Sequence, residues 1–260
     1  MNRIDKFFKS GNKAFVPYIT AGHPTIEDTL KIMKLLVDNG ADIIELGMPF
    51  SDPTADGPVI QSSSHNALEQ GFKRDHYFEI IKKFREDDED TPIVAFTYFN
   101  PVFNMGVDSY AKTLAEAGGD AMLVVDLPLE EQGELIPALK DNDLHLIQLV
   151  SPTTPDDRIR KIVGDAKGFV YQIALKGVTG VRTSLADGAQ EAATKTKEFT
   201  KLPVCMGFGV SNGGMAKAVA TAADGVIVGS ALVKCIADNP TDYELPLTEL
   251  IRELADASHT

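Results

Sequence analysis

Short apolar runs alternate with longer amphipathic ones along the chain. The short runs cover 14–20, 42–46, 93–98, 121–126, 145–150, 168–173, 204–207 and 225–228. They are rich in Val, Ile and aromatic residues, and Gly, Pro or Asp often flank them, which is how buried strands read. Helical patterns lie between them, over 26–39, 108–117, 130–141, 155–163, 185–199, 213–223 and 230–237. Gly40 and Gly118-Gly119 stand where two of these should stop, and Pro155-Asp156-Asp157 reads as a first turn. Strand–helix alternation means parallel strands joined by crossovers. Eight such units in 260 residues predict an α/β fold, a (β/α)8 TIM barrel, as one domain over 1–260. An open doubly wound sheet is the alternative. An extra N-terminal helix at 1–9 is expected to cap the barrel bottom, and 245–257 is expected to be the last outer helix.

In a barrel of this kind, chemistry gathers where strands end and βα loops begin. Glu45 ends the second expected strand, Asn100 follows the third, Asp126 ends the fourth and Tyr171 lies within the sixth. The segment after Glu45 is the richest. It places Glu45, Asp52 and Asp56 within twelve residues, with Gly47, Pro49 and Pro53 fixing the backbone between them. An acid at the end of a buried strand is costly unless it is used or paired. Two acids held near each other can serve acid/base chemistry. Each also has a plain structural reading: Glu45 as a satisfied buried carboxylate, and Asp52 before Pro53 and Asp56 before Gly57 as turn formers.

Glycines follow the last two expected strands, in Gly207-Phe208-Gly209-Val210-Ser211 and Val228-Gly229-Ser230. Exposed backbone N–H groups and a helix opening at Ser230 suit a phosphate. Tight turns alone would also explain them. Gly177-Val178-Thr179-Gly180 supplies a third edge or a lid, with Lys176 and Arg182 the nearest cations.

Composition narrows the partners. Twenty-five basic and 38 acidic residues leave a net charge of −13. That argues against nucleic acid and anionic membranes, and an anionic ligand must be held by backbone amides and a helix end. The five histidines show no metal-ligand spacing, so no metal is expected. No nucleophile elbow or dinucleotide fingerprint is present. Cys205 and Cys235 sit in apolar surroundings and are expected to be buried, reduced thiols. No signal peptide and no run of 18 or more apolar residues is seen, so no membrane partner and a cytoplasmic setting are expected.

The segment Glu45-Leu-Gly-Met-Pro-Phe-Ser-Asp-Pro-Thr-Ala-Asp-Gly-Pro-Val-Ile-Gln61 closely resembles the signature of the tryptophan synthase alpha chain family. So do Phe15-Val-Pro-Tyr-Ile-Thr-Ala-Gly-His-Pro24, Tyr98-Phe-Asn-Pro101, Asp126-Leu-Pro128 and the glycine motifs above. The resemblance implies a (β/α)8 lyase that cleaves indole-3-glycerol phosphate to indole and glyceraldehyde 3-phosphate by a retro-aldol reaction. It implies that Glu45 moves protons at the indole carbon and the glycerol hydroxyl, with a raised pKa, and that ionised Asp56 accepts from the indole N–H. It further implies support from Tyr171 and Thr179, phosphate binding by Gly180, Gly209, Gly229 and Ser230, and an indole pocket of Tyr18, Leu123 and Ile227. Ala174-Leu175-Lys176 departs from the family pattern before the lid, where Lys176 could stand in for a missing arginine. The resemblance implies no cofactor in this chain and a pyridoxal-phosphate-dependent beta chain as partner in an alpha2beta2 assembly. That chain would dock near Pro53–Gly57 and Asn100–Asn104. Two other readings stay open: a non-catalytic activator of a beta chain, and another phosphate-binding barrel enzyme.

Overall fold

The computed structural model describes residues 1–173, 185–207 and 209–260, without the side chains of 185–187. Its strands are β1 (Ala14–Thr20), β2 (Ile44–Gly47), β3 (Ile93–Thr97), β4 (Ala121–Val124), β5 (His145–Leu146), β6 (Gln148–Val150), β7 (Val170–Ile173), β8 (Val204–Gly207) and β9 (Gly225–Val228). They form one parallel sheet in the order β5-β4-β3-β2-β1-β9-β8-β7-β6. The two ends of that order are separated in sequence by Ile147 alone. The Ile147 N–H still donates to the Met122 carbonyl at 2.8 Å, whereas Gln148 already pairs with Val170. One extended segment therefore changes partners midway and closes the barrel. The expected strand at 145–150 is present, in two arms.

Side-chain alternation sorts each strand into two faces. Ala14, Val16, Ile43, Val94, Leu123, Phe169, Cys205 and Ile227 fill the barrel interior. Phe15, Ile44, Ala95, Met122, Met206 and Val226 pack outward under the helices. Strands buried on both faces read as undivided apolar runs, which is why the strand pattern was legible. Asp42 lies outside β2, at the strand's entry, because its carboxylate accepts from the Phe15 N–H at 2.7 Å and lies 2.7 Å from His259 Nε2.

The extra helix, Arg3–Lys9, closes the N-terminal end of the barrel. Ile4 is fully buried in the interior cluster, with Phe7 and Phe8 packed against it. Polar contacts tie the helix down. The Asn2 amide donates to the carbonyls of Asp120 and Asp143, Arg3 meets Asp120 at 3.0 Å, and Asp5 meets His145 at 3.0 Å. Asp120 is nearly inaccessible and also accepts from Arg85 at 3.0 Å and from the Ile93 N–H at 2.8 Å. No carboxylate oxygen is left unpaired there, as a buried charge requires.

Three helices stand outside the sequence-based expectation: Pro58–Glu69, Arg74–Arg85 and Phe99–Met105. The first buries Ser63, Ser64 and Ala67, so small polar residues face inward and no apolar stripe announces it. The second carries a plain apolar face of Tyr77, Phe78, Ile80, Ile81 and Phe84. The expected helix at 130–141 is broken into a 3₁₀ turn, Leu129–Glu131, and a helix, Leu135–Asp141. Between them Gln132 turns inward and exchanges amide bonds with Gln148 at 2.7 and 3.2 Å. Both cysteines are free, but only Cys205 is buried; Cys235 is partly exposed, against expectation. It sits on an outer helix, Ser230–Asp238, and not within the barrel.

Replacing Ile4 with Ala should lower the unfolding free energy by about 2–4 kcal/mol, because it opens a cavity that the rigid strand ends cannot fill. Urea denaturation checks this, with an unchanged slope expected.

Candidate active site

Glu45 points into the barrel, level with Tyr18 on β1 and Val94 on β3. It is 1% exposed, and its Oε1 has no hydrogen-bond partner. Desolvation without compensation favours the neutral acid; here burial pushes the Glu45 pKa up to about 8. At neutral pH this carboxyl is mainly protonated and able to give a proton away. The expected rise is thus present, and its cause is burial, not a neighbouring charge.

Asp56 comes from the loop between β2 and the helix Pro58–Glu69. Its Oδ2 accepts a hydrogen bond from the Tyr98 hydroxyl at 2.9 Å, and the same phenolic oxygen accepts from the Ala55 N–H at 2.9 Å. The Gln61 amide donates to the Asp56 carbonyl at 2.8 Å, bracing the loop against the helix. Burial raises the Asp56 pKa, and the Tyr98 hydroxyl opposes that rise by bonding the ionised form.

The two acids share a cavity of about 290 Å³ at the carboxyl ends of the strands. Tyr18, Phe96, Val125, Leu149, Tyr171 and Ile227 form its apolar walls, and Ile60 and Ala55 roof the Asp56 side. The Tyr18 and Phe96 rings meet edge to face, with centroids 5.0 Å apart. Two glycines make room for the tyrosines. A Cβ at Gly47 would overlap the Tyr18 hydroxyl, and one at Gly207 would overlap the Tyr171 hydroxyl. Burial, and then the nearby Glu45, hold the Tyr171 phenol well above its usual pKa, so it stays protonated beside the acid.

Gly209, Gly229 and Ser230 line the opposite rim. Gly209 adopts φ +61°, the left-handed region that side chains avoid. Ser230 opens the helix Ser230–Asp238 and Gly229 precedes it, so unpaired first-turn N–H groups and the positive helix end lie at the cavity edge. This rim can hold an anion without any cation. The arrangement places a proton donor, a carboxylate and an anion cradle around one apolar slot.

Of the residues singled out from sequence, Glu45, Asp56, Tyr18, Tyr171, Ile227, Gly209, Gly229 and Ser230 converge on the cavity. Leu123 does not line it: fully buried, it belongs to the interior layer of β4. Val125, two residues on and with the same inward parity, holds the wall position. Thr179 and Gly180, with Lys176 and Arg182, lie outside the described residues. Asp52 is exposed, bonded to the Ser51 hydroxyl at 2.6 Å, and off the cavity wall. Phe96, Leu149, Val125 and Ile60 were missed by sequence reading. For the strand residues the signal was parity, since each follows an inward residue by two positions. Tyr98 was quoted only as part of a motif. Among the described residues no group of three or more His, Cys, Asp or Glu could hold a metal ion.

A closed parallel barrel with an acid pair facing a glycine and helix-end rim at the strand ends is the arrangement of a (β/α)8 barrel enzyme. The family model for the tryptophan synthase alpha chain matches residues 4–259. The chain is 44% identical to the tryptophan synthase alpha chain of Marinobacter nauticus, over 99% of this chain and 98% of that one. Its structure superposes on tryptophan synthase subunit alpha from Legionella pneumophila with a TM-score of 0.91 at 37% identity, covering 99% and 98% of the two chains. It also superposes on a chain from the tryptophan synthase a2b2 complex of Pyrococcus furiosus, with a TM-score of 0.87 at 37% identity over 94% and 98%. This chain belongs to the tryptophan synthase alpha chain family.

Two outcomes follow from this geometry. Gly47→Ala should be destabilising and Tyr18→Phe should partly relieve it, with a coupling of about 1 kcal/mol or more in a double-mutant cycle. The second concerns pH. The Glu45 pKa is raised in the folded state, so its stabilising contribution is full below the ordinary value of 4.5 and is lost as pH climbs through about 8. Glu45→Gln should therefore be more stable than wild type at about pH 9 by roughly 2–4 kcal/mol, with the gap closing near pH 5. Thermal melts across pH check the sign.

Proposed function

We propose that Glu45 and Asp56 divide the acid/base work of the alpha-chain reaction, the cleavage of indole-3-glycerol phosphate to indole and glyceraldehyde 3-phosphate. The observation that carries this is the buried Glu45 carboxyl, its pKa raised and its Oε1 without a hydrogen bond, in the same apolar slot as Asp56, whose Oδ2 accepts from the Tyr98 hydroxyl. Breaking the bond between the ring and the glycerol chain requires the ring carbon to accept a proton. Glu45 gives that proton, which places positive charge on the indolenine. Asp56 accepts from the ring N–H and stabilises that charge. The Glu45 carboxylate so formed takes the proton from the glycerol hydroxyl as the carbon–carbon bond breaks and the aldehyde forms. The acid is thereby regenerated, and atoms and charge balance.

The apolar walls, Tyr18, Phe96, Val125, Leu149 and Ile227, suit the flat indole. The Gly209, Gly229 and Ser230 rim suits the phosphate at the other end of the substrate. Tyr171 lines the same cavity as Glu45 and stays protonated there. Thr179 and Gly180, given supporting and phosphate-binding roles by the family resemblance, lie outside the described residues.

We also assign this chain a beta-chain partner, since a related chain belongs to the tryptophan synthase a2b2 complex of Pyrococcus furiosus. The face between the exposed loop 51–58 and the helix Phe99–Met105 suits docking: Val102 is buried there while Phe103 is 64% exposed. Pyridoxal phosphate is assigned to that partner on the family resemblance. We place the chain in the cytoplasm as one domain over 1–260; among the described residues no helix is long and apolar enough to cross a membrane.

Indole release from indole-3-glycerol phosphate, measured with and without a beta chain, tests the assignment. Glu45→Gln should lower kcat by about 10²–10⁴-fold, and Asp56→Asn by about 10²–10³-fold, with both chains folded. Equal activity in wild type and Glu45→Gln would reject the catalytic reading in favour of a barrel that only activates its partner.

A further inference from the structure

Tyr98 follows β3 at the cavity edge, yet it is only 2% exposed. Its ring stacks on Phe50, with centroids 5.0 Å apart at 27°. The next residue is pinned as well, its N–H donating to Asp126 Oδ1 at 2.7 Å. The phenol therefore has nowhere to swing. A tyrosine oxygen offers one donor and two acceptor sites. Here one acceptor site takes the Ala55 N–H at 2.9 Å and the proton goes to Asp56 Oδ2 at 2.9 Å. Among the described residues Asp56 Oδ1 carries no hydrogen bond, so the second oxygen is the one offered to a ligand. Sequence neighbours thus reach the same hydroxyl by different groups, one by backbone and one by side chain.

We propose that Tyr98 is a positioning residue for the reaction: its single hydroxyl fixes the loop backbone at Ala55 and aims the Asp56 carboxylate, in ionised form, at the ring nitrogen. This rests on the role given to Asp56 above. The requirement is physical. Burial alone drives Asp56 toward the neutral acid, which could not steady a cation. The groups facing it are Tyr98 from the end of β3, Tyr18 from β1, Tyr171 from β7 and Glu45 deeper on β2. None of these is a cation. The Tyr98 hydroxyl is the group among them that bonds the carboxylate, and hydrogen bonds to charged groups are the stronger kind.

The experiment uses the full-length chain with Tyr98→Phe, which keeps the stacked ring and removes only the hydroxyl. Carbon-13 NMR titration of the Asp56 carboxyl, without substrate, should show its midpoint raised by about one pH unit. Indole release should show kcat reduced about 10- to 100-fold with KM changed less than about threefold. The acid limb of the rate profile should move to higher pH. Site-specific 3-fluorotyrosine at 98, a stronger donor, should restore kcat and move the Asp56 midpoint below that of wild type. This second variant keeps ring and hydroxyl together, so it reads the proposal even if Tyr98→Phe misfolds. An unmoved Asp56 midpoint in both variants overturns the proposal, and so does a loss confined to KM. Because the titration needs no turnover, a wild-type chain that released no indole would reject the lyase assignment while leaving this measurement standing.

Discussion

A carboxyl group without a hydrogen bond on one of its oxygens is held in the dry interior of this barrel at position 45. Water would ionise it at mildly acidic pH; the barrel does not, because Tyr18, Tyr171 and the apolar strand ends enclose it. Much of the surrounding architecture follows from keeping that acid neutral. The barrel must close, so one extended segment pairs with two different neighbours on either side of Ile147. The other end must be sealed, so a helix brings Ile4, Phe7 and Phe8 up against the inward residues. The tyrosines must fit beside the acid, so Gly47 and Gly207 give up their side chains.

The second acid is less completely enclosed. Asp56 is partly wet, on a loop, and bonded by a hydroxyl that favours its charge. Burial raises the proton affinity of both carboxyls, and at Asp56 the Tyr98 hydroxyl opposes the rise. The glycine rim follows the same economy: in a chain of net charge −13, a helix end and backbone amides can attract an anion where a cluster of lysines would also have drawn in the acids.

The way the strands and helices pack explains which parts of this were legible. Strands buried on both faces appear as plain apolar runs, and all of the expected ones are found in the barrel. The Pro58–Glu69 helix was not legible because its buried face is Ser63, Ser64 and Ala67. There the Ser63 hydroxyl bonds Thr20 at 2.7 Å, a contact with no apolar signature. The break at Gln132 was hidden for a similar reason, since its amide partner, Gln148, lies across the barrel wall. Leu123 and Val125 show the limit of motif matching: both are inward by parity, and only the height of the cavity floor decides which one a ligand meets.

The amino-acid sequence by itself determined the barrel's alternation, the helix at the closed end, the acids at the strand ends and the glycines of the anion rim. These are local matters of periodicity, turn chemistry and residue type, and the long segment from Glu45 to Gln61 carried the family with them. Tertiary structure alone decided how those groups differ in chemistry. Glu45 holds its proton more tightly because the surrounding strands dehydrate it, and Asp56 is oriented because Tyr98, some forty residues away at the end of the neighbouring β3, reaches it. Proton affinity depends on the dielectric and the donors around a group, and those are supplied by residues that only the closed barrel brings together.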